Sequence, residues 1–201
     1  IFIAMIFVLG LRSRFLIYFS LISIMLSPFI GQLAWNHLKD YQKKRLFTFM
    51  NPTEDPMGTG YQIIQSKIAI GSGGLFGKGL FGGTQSQLKF LPERHTDFIF
   101  SVLAEQWGFL GVLGLFLLFL FVTLWSIDVA VKAKDTLGSL MAVGIIGLIF
   151  FYFFINVGMT LGVMPVVGVP LPLVSYGGSA MVTTLGLFGL LLNIKLRRLM
   201  R

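Results

Sequence analysis

Four ionisable side chains lie within five consecutive residues: Glu93, Arg94, His95 and Asp97, with Thr96 between them. They stand where a polar, glycine-rich stretch meets a long apolar run that begins at Phe98. A carboxylate at such a boundary is costly unless it has a partner or a function. Asp97 could therefore take a proton from a substrate at this edge, or it could simply stabilise the N-terminus of a helix.

The neighbouring charges could assist an acid in this position. Glu93 lies four residues before Asp97, so the two acids could form a carboxylate pair that holds Mg²⁺ or Mn²⁺. Alternatively, the acids form ion pairs with nearby basic residues. The sequence therefore does not decide whether a divalent cation is a cofactor. Because Cys is absent and only two His occur, we predict no site with these metal ligands. The candidate phosphate ligands, which could otherwise be solvated loop charges, are Arg94, Lys78 and Lys89.

The composition requires these residues to be positioned by membrane helices. The chain is 55% apolar and 12% charged, with 21 Phe, which indicates an all-α integral membrane protein. Because the chain begins with Ile1 and no charged leader, we expect it to be the later part of a longer polypeptide. Residues 1–10 resemble the end of a further span. The four predicted spans are residues 15–35, 98–127, 137–158 and 176–194.

Basic residues predict the orientation of the helix bundle. Three groups of Lys and Arg are separated by even numbers of spans, which places them together on the cytoplasmic side with the C-terminus. Residues 36–97 then form a long extracytoplasmic loop, whose positive charge suggests an anionic ligand. Nucleic acid is not an expected partner, because no soluble basic domain remains. The three groups are Arg12 with Arg14, Lys132 with Lys134, and the tail from Lys195 to Arg201.

Two segments of the long loop have a local pattern. Residues 58–71 predict a helix with an apolar stripe of Ile63, Ile64 and Ile68, which either lies on the bilayer or packs against the bundle. Residues 71–83, the glycine loop, hold seven glycines that would form either an anion-binding nest with Lys78 or a plain connector. A dinucleotide motif is excluded because no strand precedes the glycines, and a phosphate loop is excluded because Ser72 and Gly79 do not fit its pattern.

Residues 159–175, here called the link, are apolar but rich in Pro and Gly. Non-helical backbone at membrane depth must be buried in protein or line a wet cavity. We therefore expect a re-entrant segment packed under the long loop, either contacting substrate or acting only as a structural clamp. Hydrogen-bonding side chains at its end could bind substrate, namely Ser175, Tyr176 and Ser179.

These motifs resemble the SEDS family of shape, elongation, division and sporulation proteins. The resemblance is carried by the 91–98 segment Leu-Pro-Glu-Arg-His-Thr-Asp-Phe and by Asn156, Gly162, Pro165, Gly168 and the 175–180 run Ser-Tyr-Gly-Gly-Ser-Ala. Arg94, with Asn51-Pro52 and residues 60–62, is most similar to the rod-shape branch, RodA. The resemblance covers essentially all 201 residues, which correspond to only the later half of a family member.

The resemblance implies a peptidoglycan glycosyltransferase that polymerises lipid II by an inverting transfer, with Asp97 as the general base. It implies a bacterial inner-membrane protein that acts on undecaprenyl diphosphate-linked glycan. The implied partners are a class B penicillin-binding protein and other membrane proteins of the elongation complex. Two alternatives stay open, a lipid-precursor transporter or flippase and a scaffold for the transpeptidase.

Overall fold

The computed structural model describes residue 5 and residues 13–55, 58–80, 82–83 and 95–199. All regular structure in these ranges is helical, as the composition predicted. The six α-helices are α1 (Ser13–His37), α2 (Asp40–Met50), α3 (Thr59–Ser72), α4 (Ile99–Val131), α5 (Thr136–Thr160) and α6 (Gly178–Leu199), with a 3₁₀ turn at Pro52–Glu54.

Four of these helices are long and apolar enough to cross a membrane: Ile17–His37 within α1, all of α4 and α5, and Gly178–Arg197 within α6. A run of about 20 apolar residues is long enough to span the hydrocarbon core. The four spans predicted from hydropathy are therefore confirmed, with ends that differ by a few residues. The predicted further span at residues 1–10 lies outside the described residues, apart from residue 5.

The core lies between α4, α5 and α6. Phe153 of α5 stacks against Phe119 of α4 with ring centroids 4.2 Å apart, and Phe116 meets the same ring edge-on at 5.1 Å. Offset and edge-to-face pairs of this kind stabilise helix contacts beyond their buried area. Fully buried small residues let the helices approach closely. The buried core residues include Ala130, Ala142, Ile145, Ile149, Leu171 and Leu191.

Helix α3 confirms the predicted helix at residues 58–71 and packs against the bundle. Its buried positions are Gly60, Ile63, Ser66 and Ala69. The predicted stripe was partly wrong, because Ile68 is 46% exposed and a buried hydroxyl occupies the inward face. Ser66 Oγ lies 2.6 Å from Ser101 Oγ of α4 and donates to Thr160 O of α5 at 2.6 Å. One side chain thus joins three helices.

Helix α2 was not predicted, because its basic residues and mixed pattern resemble a solvated loop. It begins after Lys39, whose backbone N–H donates to Gln42 Oε1 at 3.0 Å. This contact satisfies one of the N–H groups that a helix start leaves unpaired. The described part of the predicted 36–97 loop therefore contains two α-helices, α2 and α3, with the 3₁₀ turn between them.

Helix α4 is broken at Gly108, which has φ 63° and ψ −161°. The glycine loop enters the break and completes its hydrogen bonding. Lys78 N donates to Glu105 O at 3.0 Å and Gly79 N to Gln106 O at 3.0 Å. On the other side, the loop carbonyls of residues 74 and 75 accept from Phe109 N and Leu110 N, at 2.9 and 3.1 Å. Unpaired backbone groups cost several kcal/mol in hydrocarbon, so the loop is a structural part of this helix.

The link leaves α5 after Thr160 and reaches α6 without helical structure. Gly162 and Gly168 have φ of 68° and 74°, which only glycine adopts without strain, and Leu173 shares a positive φ of 63°. The link contacts the long loop, because Arg45 Nη1 of α2 donates to Val166 O at 3.3 Å. The predicted packing of the link against the long loop is thus observed. The assignment of residues 36–97 as extracytoplasmic and of residues 159–175 as re-entrant stays a prediction.

Candidate functional site

The link fixes the turn that precedes α4. Three consecutive backbone carbonyls of this turn each accept one hydrogen bond: His95 O from Tyr176 N at 2.8 Å, Thr96 O from Ser175 Oγ at 2.6 Å, and Asp97 O from Asn156 Nδ2 at 3.0 Å. Such contacts leave the backbone little freedom to rotate. The turn therefore presents the Asp97 side chain in a defined direction.

Asn156 is the central residue of this arrangement. Its side chain is fully buried, and Nδ2 also donates to Val169 O at 2.7 Å. The amide thus ties the Asp97 backbone to the link. Within the described part of the chain, Asn156 Oδ1 has no hydrogen-bond partner. Sequence analysis noted Asn156 only as a motif residue, although an amide inside an apolar span is itself a signal of function or precise packing.

The Asp97 carboxylate is half-buried and faces the link. A Cβ atom placed on Gly168 would stand 3.3 Å from Asp97 Oδ2, so the missing side chain gives the carboxylate its space. The next residue, Phe98, is 1% exposed and belongs to a buried cluster with Ile63 and Val166. The aromatic ring is therefore an anchor beside a carboxylate that stays partly accessible, as a proton acceptor requires.

The link residues predicted to bind substrate occupy different environments. Ser175 is 4% exposed, and its hydroxyl donates to Thr96 O and accepts from Leu171 N at 2.7 Å. This geometry gives Ser175 a positioning contact with the turn. The Tyr176 side chain is 80% exposed, and Ser179 is exposed in the first turn of α6. Their contact with substrate stays a prediction.

Ser175 and Ser179 share a cavity of about 220 Å³ between α5, the link and α6. Its other lining residues include Leu148, Tyr152, Thr183 and Thr184. Asp97 does not line this cavity, so the two serines and the candidate base belong to different parts of the site.

Lys78 pairs with an acid of α4. Its ammonium lies 3.5 Å from Glu105 Oε1, and the Glu105 side chain is fully buried. The N–H groups of residues 77–79 donate to backbone carbonyls, which argues for the connector alternative over an anion nest. The predicted binding of phosphate by Lys78 stays a prediction. The other predicted ligands, Glu93, Arg94 and Lys89, lie outside the described residues.

A metal site was left open by the sequence. Among the residues that the structure describes, no group of three His, Cys, Asp or Glu side chains lies close enough to hold an ion. Glu93 lies outside that set, so the cation of the sequence analysis stays a prediction.

Comparison with known proteins matches this architecture. A family model described as FtsW/RodA/SpoVE cell cycle protein matches residues 1–199. The chain belongs to this family. The SEDS resemblance is thereby confirmed.

Members of the FtsW/RodA/SpoVE family with named activities are similar along most of the chain. Peptidoglycan glycosyltransferase MrdB of Escherichia coli K12 is 51% identical over 177 residues, which is 88% of this chain and 48% of that protein. Peptidoglycan glycosyltransferase RodA of Treponema pallidum is 46% identical over 193 residues, or 94% of this chain and 44% of that protein. The chain thus spans about half the length of these relatives.

One solved structure of a family member carries the same fold. It is described as a peptidoglycan synthase complex that coordinates polymerization and crosslinking. The TM-score is 0.75 at 38% identity, covering 99% of this chain and 54% of that chain. This chain is therefore part of a multi-pass membrane protein of the family, and its similarity to RodA confirms the predicted branch.

Proposed function

We propose that this protein is a peptidoglycan glycosyltransferase that polymerises lipid II, with Asp97 as its general base. Two relatives that match most of the chain are named for this activity. The observation that carries the proposal is the turn at residues 95–97. Hydrogen bonds hold all three of its carbonyls, while the half-buried carboxylate of Asp97 remains beside a glycine.

The proposed reaction is a single displacement at the anomeric carbon. The 4-hydroxyl of a GlcNAc attacks C1 of the MurNAc whose α-linked diphosphate carries the undecaprenyl chain. The O4–C1 bond forms as the bond from C1 to the diphosphate oxygen breaks, and the leaving diphosphate keeps that electron pair. The hydroxyl proton goes to the Asp97 carboxylate. Attack from the opposite face converts the α linkage into a β-1,4 bond.

The position of Asp97 suits this role. It lies two residues before the first residue of α4, at the end of an apolar span, where a lipid-linked sugar would meet the protein. A base must hold its geometry to within a fraction of an ångström to contribute fully. The buried Phe98 ring and the Asn156 amide provide that rigidity from two sides.

The partners and the orientation belong to the same proposal. The similar solved structure is described as coordinating polymerization with crosslinking, which supports a class B penicillin-binding protein as the transpeptidase. Elongation-complex membrane proteins are further proposed partners. The three basic groups support a cytoplasmic C-terminus for a protein in a bacterial inner membrane.

A flippase is the second candidate, since broken membrane helices are typical of transporters. In α4, however, the glycine loop occupies the carbonyl and N–H groups that a transporter would offer to its substrate. The break is therefore closed by the protein itself. This observation favours the glycosyltransferase over the transporter.

The test is lipid II polymerisation in liposomes by the protein at its full natural length, with its transpeptidase partner present. The Asp97→Asn variant keeps size and hydrogen-bonding capacity but cannot take the proton. We expect glycan synthesis to fall by about 10²- to 10⁴-fold, since a general base contributes about that much. Unchanged synthesis by a folded variant would remove Asp97 from the chemistry and move the assignment of the base to Glu93.

A further inference from the structure

A second charged side chain contacts the link close to Asp97. Arg45, on α2, donates Nη1 to Val166 O at 3.3 Å. Gly168, two residues further along, faces Asp97 Oδ2. Residues 165–170 are not helical, and two residues of chain span at most about 7 Å. The guanidinium and the candidate base therefore lie against neighbouring positions of one non-helical segment.

This spacing fits an in-line displacement. The base lies about 2.7 Å from the attacking hydroxyl oxygen, and that oxygen lies about 3 Å from C1 in a reactive complex. The leaving oxygen and its phosphate extend further along the same line, so the base and the phosphate oxygens are separated by roughly 8–10 Å. A cation that stabilises the leaving diphosphate belongs at this distance from Asp97, and Arg45 contacts the link two residues from the glycine that faces Asp97.

The chemistry of Arg45 also suits a diphosphate. A guanidinium has five N–H donors, so the bond to Val166 O orients the group and keeps donors for a phosphate. Two other cations of this region contact acids, Lys44 with Asp55 at 3.6 Å and Lys78 with Glu105 at 3.5 Å. Among the described residues, Arg45 has no carboxylate within 4.0 Å.

Lys67 brings a further positive charge to the same segment. A Cβ atom on Gly162 would stand 2.7 Å from Lys67 Nζ, so the end of this lysine from α3 lies against the link. Arg45 comes from α2 and Asp97 from the turn before α4. Three separate elements thus direct two cations and one carboxylate to residues 162–168.

We propose that Arg45, with Lys67 as a second cation, binds the diphosphate of the lipid-linked sugar that reacts at Asp97. The inference rests on the proposed function. It assigns the diphosphate to residues that the sequence analysis did not select, and it places the leaving group between α2, α3 and the link. Both the lipid-linked diphosphate and the headgroups of membrane lipids carry phosphate. The experiment below distinguishes binding of one from binding of the other.

The experiment measures binding of undecaprenyl diphosphate to the protein at its full natural length, in neutral detergent without anionic lipid. Arg45→Gln and Arg45→Lys are compared with Lys44→Gln, a matched control on the adjacent exposed residue. Loss of a charge-assisted bidentate contact predicts about 10- to 100-fold weaker binding for Arg45→Gln and a smaller loss for Arg45→Lys. We expect Lys67→Gln to weaken binding less, and Lys44→Gln to leave it unchanged.

A parallel assay measures lipid II polymerisation with and without phosphatidylglycerol. A higher KM for lipid II in Arg45→Gln under both conditions supports diphosphate binding. Unchanged diphosphate affinity in a folded Arg45→Gln protein would overturn it, as would a defect seen only with phosphatidylglycerol, which identifies a headgroup contact. Unaltered protein that binds the diphosphate but forms no glycan would refute the proposed function and leave the binding site standing.

Discussion

The side-chain amide of Asn156 donates to the backbone carbonyl of Asp97 at 3.0 Å, across 59 residues of sequence. The same nitrogen donates to Val169 O at 2.7 Å. This buried amide therefore couples the candidate base to the link through backbone contacts alone. Its role is positional, and its loss should displace Asp97 without removing it.

Asn156→Asp keeps the size of the side chain but replaces both N–H donors with an oxygen. We expect about 1–3 kcal/mol of destabilisation, because two partly buried carbonyls lose their donor. A misplaced base should also lower kcat by about 10- to 100-fold with a small change in KM. The measurements are thermal unfolding in detergent and steady-state polymerisation. Unchanged kcat in a folded Asn156→Asp protein would contradict the positional role.

Gly168→Ala tests the contact between the link and the carboxylate. The position has φ 74°, and the new Cβ would stand 3.3 Å from Asp97 Oδ2. Strain in the left-handed region costs about 1–2 kcal/mol, and the carboxylate should shift by a few tenths of an ångström. We expect lower kcat together with a lower melting temperature. Gly186→Ala, in α6 with open space around it, should leave both unchanged, and equal behaviour of the two variants would contradict this account.

Gly108→Ala tests whether the glycine loop completes α4. Gly108 has a conformation that is essentially restricted to glycine, and a Cβ there would stand 2.8 Å from Leu75 O. The loop would be displaced from the break, leaving buried helix groups unpaired. We expect more than about 2 kcal/mol of destabilisation and faster hydrogen exchange at Phe109 and Leu110. Gly114→Ala, on the same helix in open space, is the control.

A double-mutant cycle on Lys78 and Glu105 separates an ion pair from a substrate contact. Lys78→Met leaves the fully buried Glu105 without this partner, at a cost of at most about 3–5 kcal/mol. Adding Glu105→Gln should restore most of that stability. If Lys78 instead binds phosphate, Glu105→Gln alone would preserve lipid II affinity, and the double variant would lose affinity as Lys78→Met does. Unfolding and KM are therefore measured for all four proteins.

The sequence by itself determined the class of protein and the spans. Hydropathy over about 20 residues is a local property, so four helices could be predicted with small errors at their ends. Helix α3 could also be predicted from the sequence, because glycines stand at both ends of its apolar pattern. Asp97 was selected because a carboxylate at the end of an apolar helix is costly unless it has a partner or a function. The motif of residues 91–98 indicated the family.

Only the tertiary structure decided which groups meet. The contacts Asn156 with Asp97 and Arg45 with Val166 join residues 59 and 121 positions apart, which no local pattern encodes. The break at Gly108 was equally hidden, because a glycine in an apolar run is compatible with a continuous membrane helix. Its hydrogen bonds come from the glycine loop, and that pairing depends on how α3 packs against α4. Hydrogen bonds between residues far apart in the sequence thus determine the geometry around Asp97, which the sequence had selected only as a candidate residue.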